Sequence, residues 1–292
     1  MNGLTNPINP YIAGNPVTGT EMFFGRQDIF RFVQETLVGR YRDNAIVLFG
    51  GRRTGKTSIL YQMGRHLDPR YVPVFVDLQG ISLQGLGEML WGIARQAARA
   101  LRQQKGISLS IPSRDEFADD PEECFRDGFL NPALEALGDD HLLLMLDEAA
   151  RLYEQVQAGR LELRVFDLLR SLIQHYPRLN FIFSIGSGLE EMRREYTVLF
   201  NVCQYRKISF LNRDAAEALI TEPVKEHYRY APGAVDRILE TTHGHPYYIQ
   251  LVCNRLFARW ARQRGDEVTA SDVEAVLGEA VEQGMASLQY TW

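Results

Sequence analysis

Cysteine is almost missing from this chain. Cys124, Cys203 and Cys253 stand far apart in 292 residues. That is neither a disulfide framework nor a zinc-ligand spacing, and it suits a reducing, cytoplasmic setting. Long apolar runs are missing too, for no stretch reaches the ~18 residues a membrane-spanning helix needs. The opening MNGLTNPINPYIAGNPVTG has neither the basic nor the apolar segment of a secretory signal. Its Asn, Pro and Gly predict an irregular arm. Positive charge is in deficit, with a formal net charge of −5. A protein living on nonspecific nucleic-acid binding is usually basic, so nucleic acid is left possible but unsupported by charge. The nearest basic run, Arg95, Arg99, Arg102 and Lys105, has helical spacing and reads as a solvated helix face. His243 and His245, with no carboxylate or cysteine cluster beside them, read as turn residues rather than metal ligands.

Glycine, by contrast, is concentrated where it matters. The stretch IVLFGGRRTGKTSIL (Ile46–Leu60) runs from an apolar strand into GGRRTGKT, Gly50 to Thr57. This is the spacing G-x-x-x-x-G-K-[ST] of a phosphate loop. Glycines let the backbone curl so that successive N–H groups point inward at phosphate oxygens. A helix starting near Thr57 adds the positive end of its dipole. Candidate nucleotide contacts are Gly51, Arg52, Arg53, Thr54, Gly55, Lys56, Thr57 and Ser58. Lys56 can reach the β- and γ-phosphates, and the Thr57 hydroxyl can ligate Mg2+.

A second motif lies in HLLLMLDEAARLYE (His141–Glu154), where an apolar run ends in two carboxylates. Such a run fits a strand buried on both faces, and its carboxyl end is where ligands bind in open α/β sheets. Asp147 is the expected Mg2+ partner and Glu148 the expected base for the attacking water. The acid pair, with no N-K-x-D guanine motif, favours ATP hydrolysis over GTP switching. In SIGSG (Ser184–Gly188), Ser187 is a candidate to touch the γ-phosphate or the water.

Further apolar runs at Tyr71–Leu78, Leu179–Ser187 and Tyr205–Leu211 alternate with helical patterns at Leu83–Gln104 and Leu161–Tyr176. The expected fold is α/β: a five-stranded parallel sheet covered by helices, followed by a small all-helical lid. The acidic segment Ile107–Leu137 reads as an insertion with one or two short helices. After Leu211 strand patterns vanish and capped helices follow, with Thr269 and Asp272 forming a capping pair. The expected divisions are an arm over 1–26, the ATPase domain over 27–211 and the lid over 212–292.

Four stretches together resemble the AAA+/STAND class of phosphate-loop ATPases, especially prokaryotic STAND-like ATPases related to archaeal ATPases and replication initiators. They are NPY with FFGR (Asn9–Tyr11, Phe23–Arg26), GGRRTGKTSIL, LLLMLDEA and HGHPYYIQLVC. The resemblance implies that Phe23, Phe24, Gly25 and Arg26 lie near adenine; read from the residues alone, Phe23 and Phe24 fit equally as core residues anchoring an arm. It also implies that Pro246, in Gly244–His245–Pro246, meets the nucleotide. Members often carry a sensor arginine where this chain has GHPYY, which implies slow hydrolysis and a switch. In that switch, ATP or ADP sets the lid angle, self-association or an effector. Arg151, Arg193 and Arg194 are candidates for an arginine finger. The alternative, a DNA-binding initiator or loader, calls for a winged helix or basic arm that the sequence does not display. The aromatic, apolar end LQYTW reads as the edge of a fragment.

Overall fold

A computed structural model describes residues 7–38, 44–186 and 188–288. The chain divides into two compact units. One comprises Gln27–Gly50 and Leu60–Lys207; the other comprises Met1–Arg26, Gly51–Ile59 and Ile208–Trp292. Among the described residues no helix is long and apolar enough to cross a membrane.

The first unit is built on a parallel sheet of β1 (Ala45–Phe49), β2 (Tyr71–Asp77), β3 (His141–Asp147), β4 (Leu179–Ile185) and β5 (Gln204–Lys207). Their spatial order is β2-β3-β4-β1-β5. β3 and β4 are buried at every position, which is why LLLML and FIF run without polar alternation. β4 lies between β1 and β3, so the strand ends preceding the phosphate loop and carrying the acid pair share the sheet's carboxyl edge. The helices of this unit are α1 (Gln27–Val38), the later turns of α2 (Lys56–His66), and α3 (Leu86–Lys105). Six more follow: α4 (Arg114–Asp119), α5 (Pro121–Phe125), α6 (Asn131–Ala136), α7 (Ala150–Gln157), α8 (Val165–His175) and α9 (Leu189–Glu195), before the single turn α10 (Thr197–Phe200). α3 sends Leu86, Met89, Leu90, Ile93, Ala94, Ala97 and Leu101 into the core at three- and four-residue spacing. Gly106, at φ 69°, ends it in the left-handed conformation that glycine adopts without a Cβ clash.

Three expectations need correction. The acidic insertion holds three helices, α4 to α6, and a π-helical turn at Arg126–Leu130 that joins α5 to α6. Its Phe117, Phe125, Phe129, Leu130, Ala133 and Leu134 are buried in the same core as the sheet. The acids there occupy the outer face, and their number hid a helical apolar stripe. β4 ends at Ile185, and Ser187 lies outside the described residues. β5 stops at Lys207 rather than Leu211; among the described residues it pairs only with β1, and its exposed pattern marks a sheet edge.

The second unit contains α11 (Arg213–Thr221), α12 (Ala234–Thr242), α13 (Pro246–Gln263) and α14 (Ala270–Leu288). Two short strands, β6 (Arg229–Tyr230) and β7 (Glu267–Val268), pair in parallel, a small departure from an all-helical lid. Two residues each are too few to give a sequence period. Asn212 caps α11 through Ala215 N–H at 3.0 Å. Thr269 and Asp272 exchange backbone–side-chain bonds at the start of α14, as a capping box requires. The N-terminal arm belongs to this unit and is anchored in it. Tyr11 is 2% exposed within the helical core. Its hydroxyl donates to the Ile220 carbonyl at 2.5 Å. Asn9 donates to the Asn254 carbonyl, and Asn254 returns a bond to the Tyr11 carbonyl. Gln250 accepts from Ile12 N–H. Side chains of α13 thus take over the hydrogen bonding that a ladder would supply to an irregular backbone.

Candidate functional site

The phosphate loop and its neighbours lie in the second unit. α2 begins at Lys56, one residue before the expected start. Gly55 has φ 95°, and Arg53 takes the left-handed region at φ 58°, a conformation disfavoured for a residue with a Cβ. The loop is drawn in on the Gly51 carbonyl, which accepts from Thr54 Oγ1 at 3.0 Å and from Lys56 Nζ at 2.8 Å. Lys56 is 7% exposed, so its ammonium is held near the loop's backbone rather than in solvent.

Three consecutive loop residues are each engaged from elsewhere in the unit. The Arg52 backbone hydrogen-bonds His245, the residue just before Pro246. The Arg53 guanidinium lies 4.1 Å from the centre of the Tyr247 ring. Arg26, at φ 73°, donates from Nη2 to the Thr54 carbonyl at 2.9 Å and from Nη1 to the Ser209 carbonyl at 2.9 Å. Ser58 Oγ accepts from Val17 N–H at 2.9 Å, tying the arm to α2. Pro246 is the first residue of α13, where its missing N–H costs no helical bond.

Two glycines permit this assembly. A Cβ on Gly25 would stand 2.7 Å from Ala215 Cβ, and one on Gly244 would stand 2.6 Å from the Leu211 carbonyl oxygen. Both glycines therefore close on the Leu211–Ala215 segment, with Leu211 N–H bonded to the Gly244 carbonyl at 2.9 Å. Phe24 packs partly buried against the helical core. His245 is 8% exposed. Burial pulls its pKa down to about 4, with the Arg52 backbone bond opposing that shift, so the ring is neutral near pH 7. His243 is a left-handed helix end at φ 51°.

The first unit carries the acid pair. Asp147 ends β3 and is 4% exposed. It stands in register with Asp77, the last residue of β2. Glu148 follows at φ 53°, a left-handed turn residue without glycine's freedom. That turn is pinned by Ala149 N–H to the Ser184 carbonyl at 2.8 Å and Arg151 N–H to the Glu148 carbonyl at 2.9 Å. A single αL residue here turns the chain sharply and leaves Glu148 half-buried at the sheet edge. The Tyr61 phenol is raised above its usual pKa by burial first, then by the Asp147 and Asp77 carboxylates. On β4, the Ser184 hydroxyl is 1% exposed and makes no hydrogen bond among the described residues.

Sequence reasoning passed over Asp77, Ser184 and Tyr247. Asp77 had the signal that marked Asp147, a carboxylate ending an apolar strand. Ser184 and Tyr247 had none, because burial and ring stacking depend on the assembled fold. Arg193 pairs with Glu190 at 3.8 Å and lies 4.9 Å from the Tyr205 ring centre. Among the described residues no group of three or more His, Cys, Asp or Glu side chains forms a metal cage.

No protein-family model and no curated protein matches this sequence. Solved structures do match. A Walker-type ATPase of Pyrococcus abyssi superposes with a TM-score of 0.64 at 19% identity, covering 95% of this chain and 80% of that one. The Aeropyrum pernix ORC1 protein, in complex with DNA, gives 0.57 at 16% identity, over 89% and 66%. Drosophila ORC bound to DNA gives 0.60 at 14% identity, over 92% and 63%. At these identities the likeness is one of architecture: the chain has the α/β fold of the phosphate-loop nucleoside triphosphatases, a five-stranded parallel sheet followed by a helical segment.

Proposed function

We propose that this chain binds Mg-ATP and hydrolyses it slowly, as a nucleotide-dependent switch of AAA+/STAND type. The observation that carries the switch is the engagement of three successive loop residues by the arm and the start of α13: Thr54 by Arg26, Arg52 by His245 and Arg53 by Tyr247. A phosphate group pulling on that loop changes the partners of all three. Backbone N–H groups of Gly51–Gly55 and Lys56 hold the phosphates, with Arg52 and Arg53 adding charge and Ser58 extending the helix start. Thr57 and Asp147 hold Mg2+, and the metal supplies neutralisation of phosphate charge. The residue types fit this group: a hydroxyl and a buried carboxylate are hard oxygen donors. Glu148 takes a proton from water, which attacks the γ-phosphorus; the P–O bond to ADP breaks and inorganic phosphate leaves. Ser187 remains a proposed contact to the γ-phosphate or water. Phe24, Gly25, Arg26 and Pro246 form the adenine side. Nucleotide state would then govern self-association or an effector.

Calorimetric titration of the purified chain with Mg-ATP and Mg-ADP tests the binding. Lys56→Ala should weaken ATP binding about 10- to 150-fold, because one charge-assisted phosphate partner contributes roughly 1.5–3 kcal/mol. A folded variant with wild-type affinity would end the reading. Amide exchange with and without ADP tests the switch: protection should rise across residues 212–264, and a nucleotide-independent map would leave a plain ATPase. The alternative is a DNA-binding initiator or loader. It draws on the likeness to origin-recognition proteins solved with DNA. Severalfold stimulation of ATP turnover by duplex DNA at physiological salt would favour it.

A further inference from the structure

β2 forms one edge of the sheet, pairing only with β3 among the described residues. Between this edge and α3 runs a groove of about 620 Å3, lined by Pro73, Phe75, Trp91, Arg95, Arg99 and Gln104 among others. We propose that this groove binds an extended acidic segment of a partner protein.

Charge is the first argument. Arg95 and Arg99 are exposed, and neither makes an ion pair among the described residues. The other arginine of the wall, Arg114, is already neutralised by a two-pronged bond to Glu88. Two unneutralised guanidiniums therefore stand over the groove in a chain whose net charge is −5. Each is suited to a planar carboxylate.

Spacing is the second. Arg95 and Arg99 are four residues apart on α3, so they are offset about 6 Å along its axis. Alternate side chains of an extended strand are about 6.6 Å apart and point the same way. Acids at every second position of an extended segment therefore meet both arginines.

The edge itself favours side-chain recognition over simple strand addition. Pro73 has no N–H to donate, and its carbonyl already accepts from Gln104 Nε2 at 2.8 Å. An arriving strand thus finds the ladder blocked at its middle, which also guards the edge against indiscriminate pairing. A nucleic acid is the weaker fit. The guanidiniums of Arg95 and Arg114 already lie 4.6 and 5.6 Å from the Trp91 ring centre, occupying the platform on which a base would stack.

Fluorescence anisotropy with the full chain in low salt tests this, using three labelled probes: acetyl-TETETET-amide, acetyl-TQTQTQT-amide and a twelve-residue oligothymidylate. The glutamate peptide should bind, and the glutamine peptide at least tenfold more weakly. Arg95→Glu with Arg99→Glu should weaken glutamate-peptide binding about 10- to 100-fold while leaving the thermal midpoint of the chain within a few degrees. Arg102→Glu, on the same helix but outside the groove, should change it less than twofold. No binding of the glutamate peptide, equal binding of the glutamine peptide, an equal loss with Arg102→Glu, or tighter binding of the oligothymidylate would each overturn the proposal. Nucleotide affinity plays no part in the readout, so the groove and the ATP site stand or fall separately.

Discussion

The two compact units solve the same problem by different means. In the sheet unit, backbone polar groups are satisfied by a parallel ladder, and the core is a continuous set of Val, Leu, Ile and Phe. In the helical unit, an irregular arm and the phosphate loop have no ladder. Their carbonyls and N–H groups are taken one at a time by Asn9, which accepts from Tyr11 N–H, and by Asn254, Gln250, Arg26 and Lys56. A ladder tolerates the loss of one side chain because its bonds are in the backbone. A stitched segment does not, since each stitch is a single residue. Asp147 and Glu148 thus stand at the end of a rigid strand, while the phosphate loop is held by single side-chain contacts.

The largest expected effect probes the rigid side. Glu148→Gln should keep ATP binding while lowering turnover about 10²- to 10⁴-fold, the usual contribution of a positioned base. Single-turnover phosphate release measures it; turnover at the wild-type rate would remove Glu148 from the mechanism. Gly244→Ala probes the stitched side. The added Cβ meets the Leu211 carbonyl and sits at φ 76°. Overpacking and left-handed strain together should cost about 2–4 kcal/mol in urea unfolding. If the loss is under 0.5 kcal/mol, the Leu211–Gly244 closure is looser than described.

A pH series comes next. His245 binds its proton in the unfolded chain near its ordinary value, 6.5, but in the folded chain only near 4. Between those values the unfolded state holds more protons, so stability falls as pH drops from about 6.5 toward 4. Allowing for partial solvent access, the loss should be about 1–3 kcal/mol. His245→Gln, which retains a donor for the Arg52 carbonyl, should flatten the curve over that window; an unchanged slope would assign it to other groups. The smallest effect is Tyr11→Phe. It removes one buried bond to the Ile220 carbonyl and should cost about 1 kcal/mol, or somewhat more if that carbonyl finds no water. A neutral result would make the arm's attachment a matter of apolar packing alone.

Much of the candidate site was legible because its segments obey local rules. An apolar run ending in Asp147 announces a buried strand and a carboxylate at its end, and GGRRTGKT announces a curled, cation-lined loop. The insertion at Ile107–Leu137 is not legible, for the opposite reason: its acids are dense, and the stripe through Phe125, Phe129 and Ala133 acquires meaning only when packed in the core.

The sequence by itself determined the strand–loop–helix start, the acid pair, and the helix caps at Asn212 and Thr269. Each of these depends on bonds or backbone angles within a few residues. Only the tertiary structure decided that NPY locks into α13, that His245 and Tyr247 attend Arg52 and Arg53, that Asp77 stands beside Asp147, and that Arg95 and Arg99 face a groove. Those are meetings of residues distant in the chain. Which distant residues meet depends on how whole elements bury their apolar faces, and no short stretch of sequence records that.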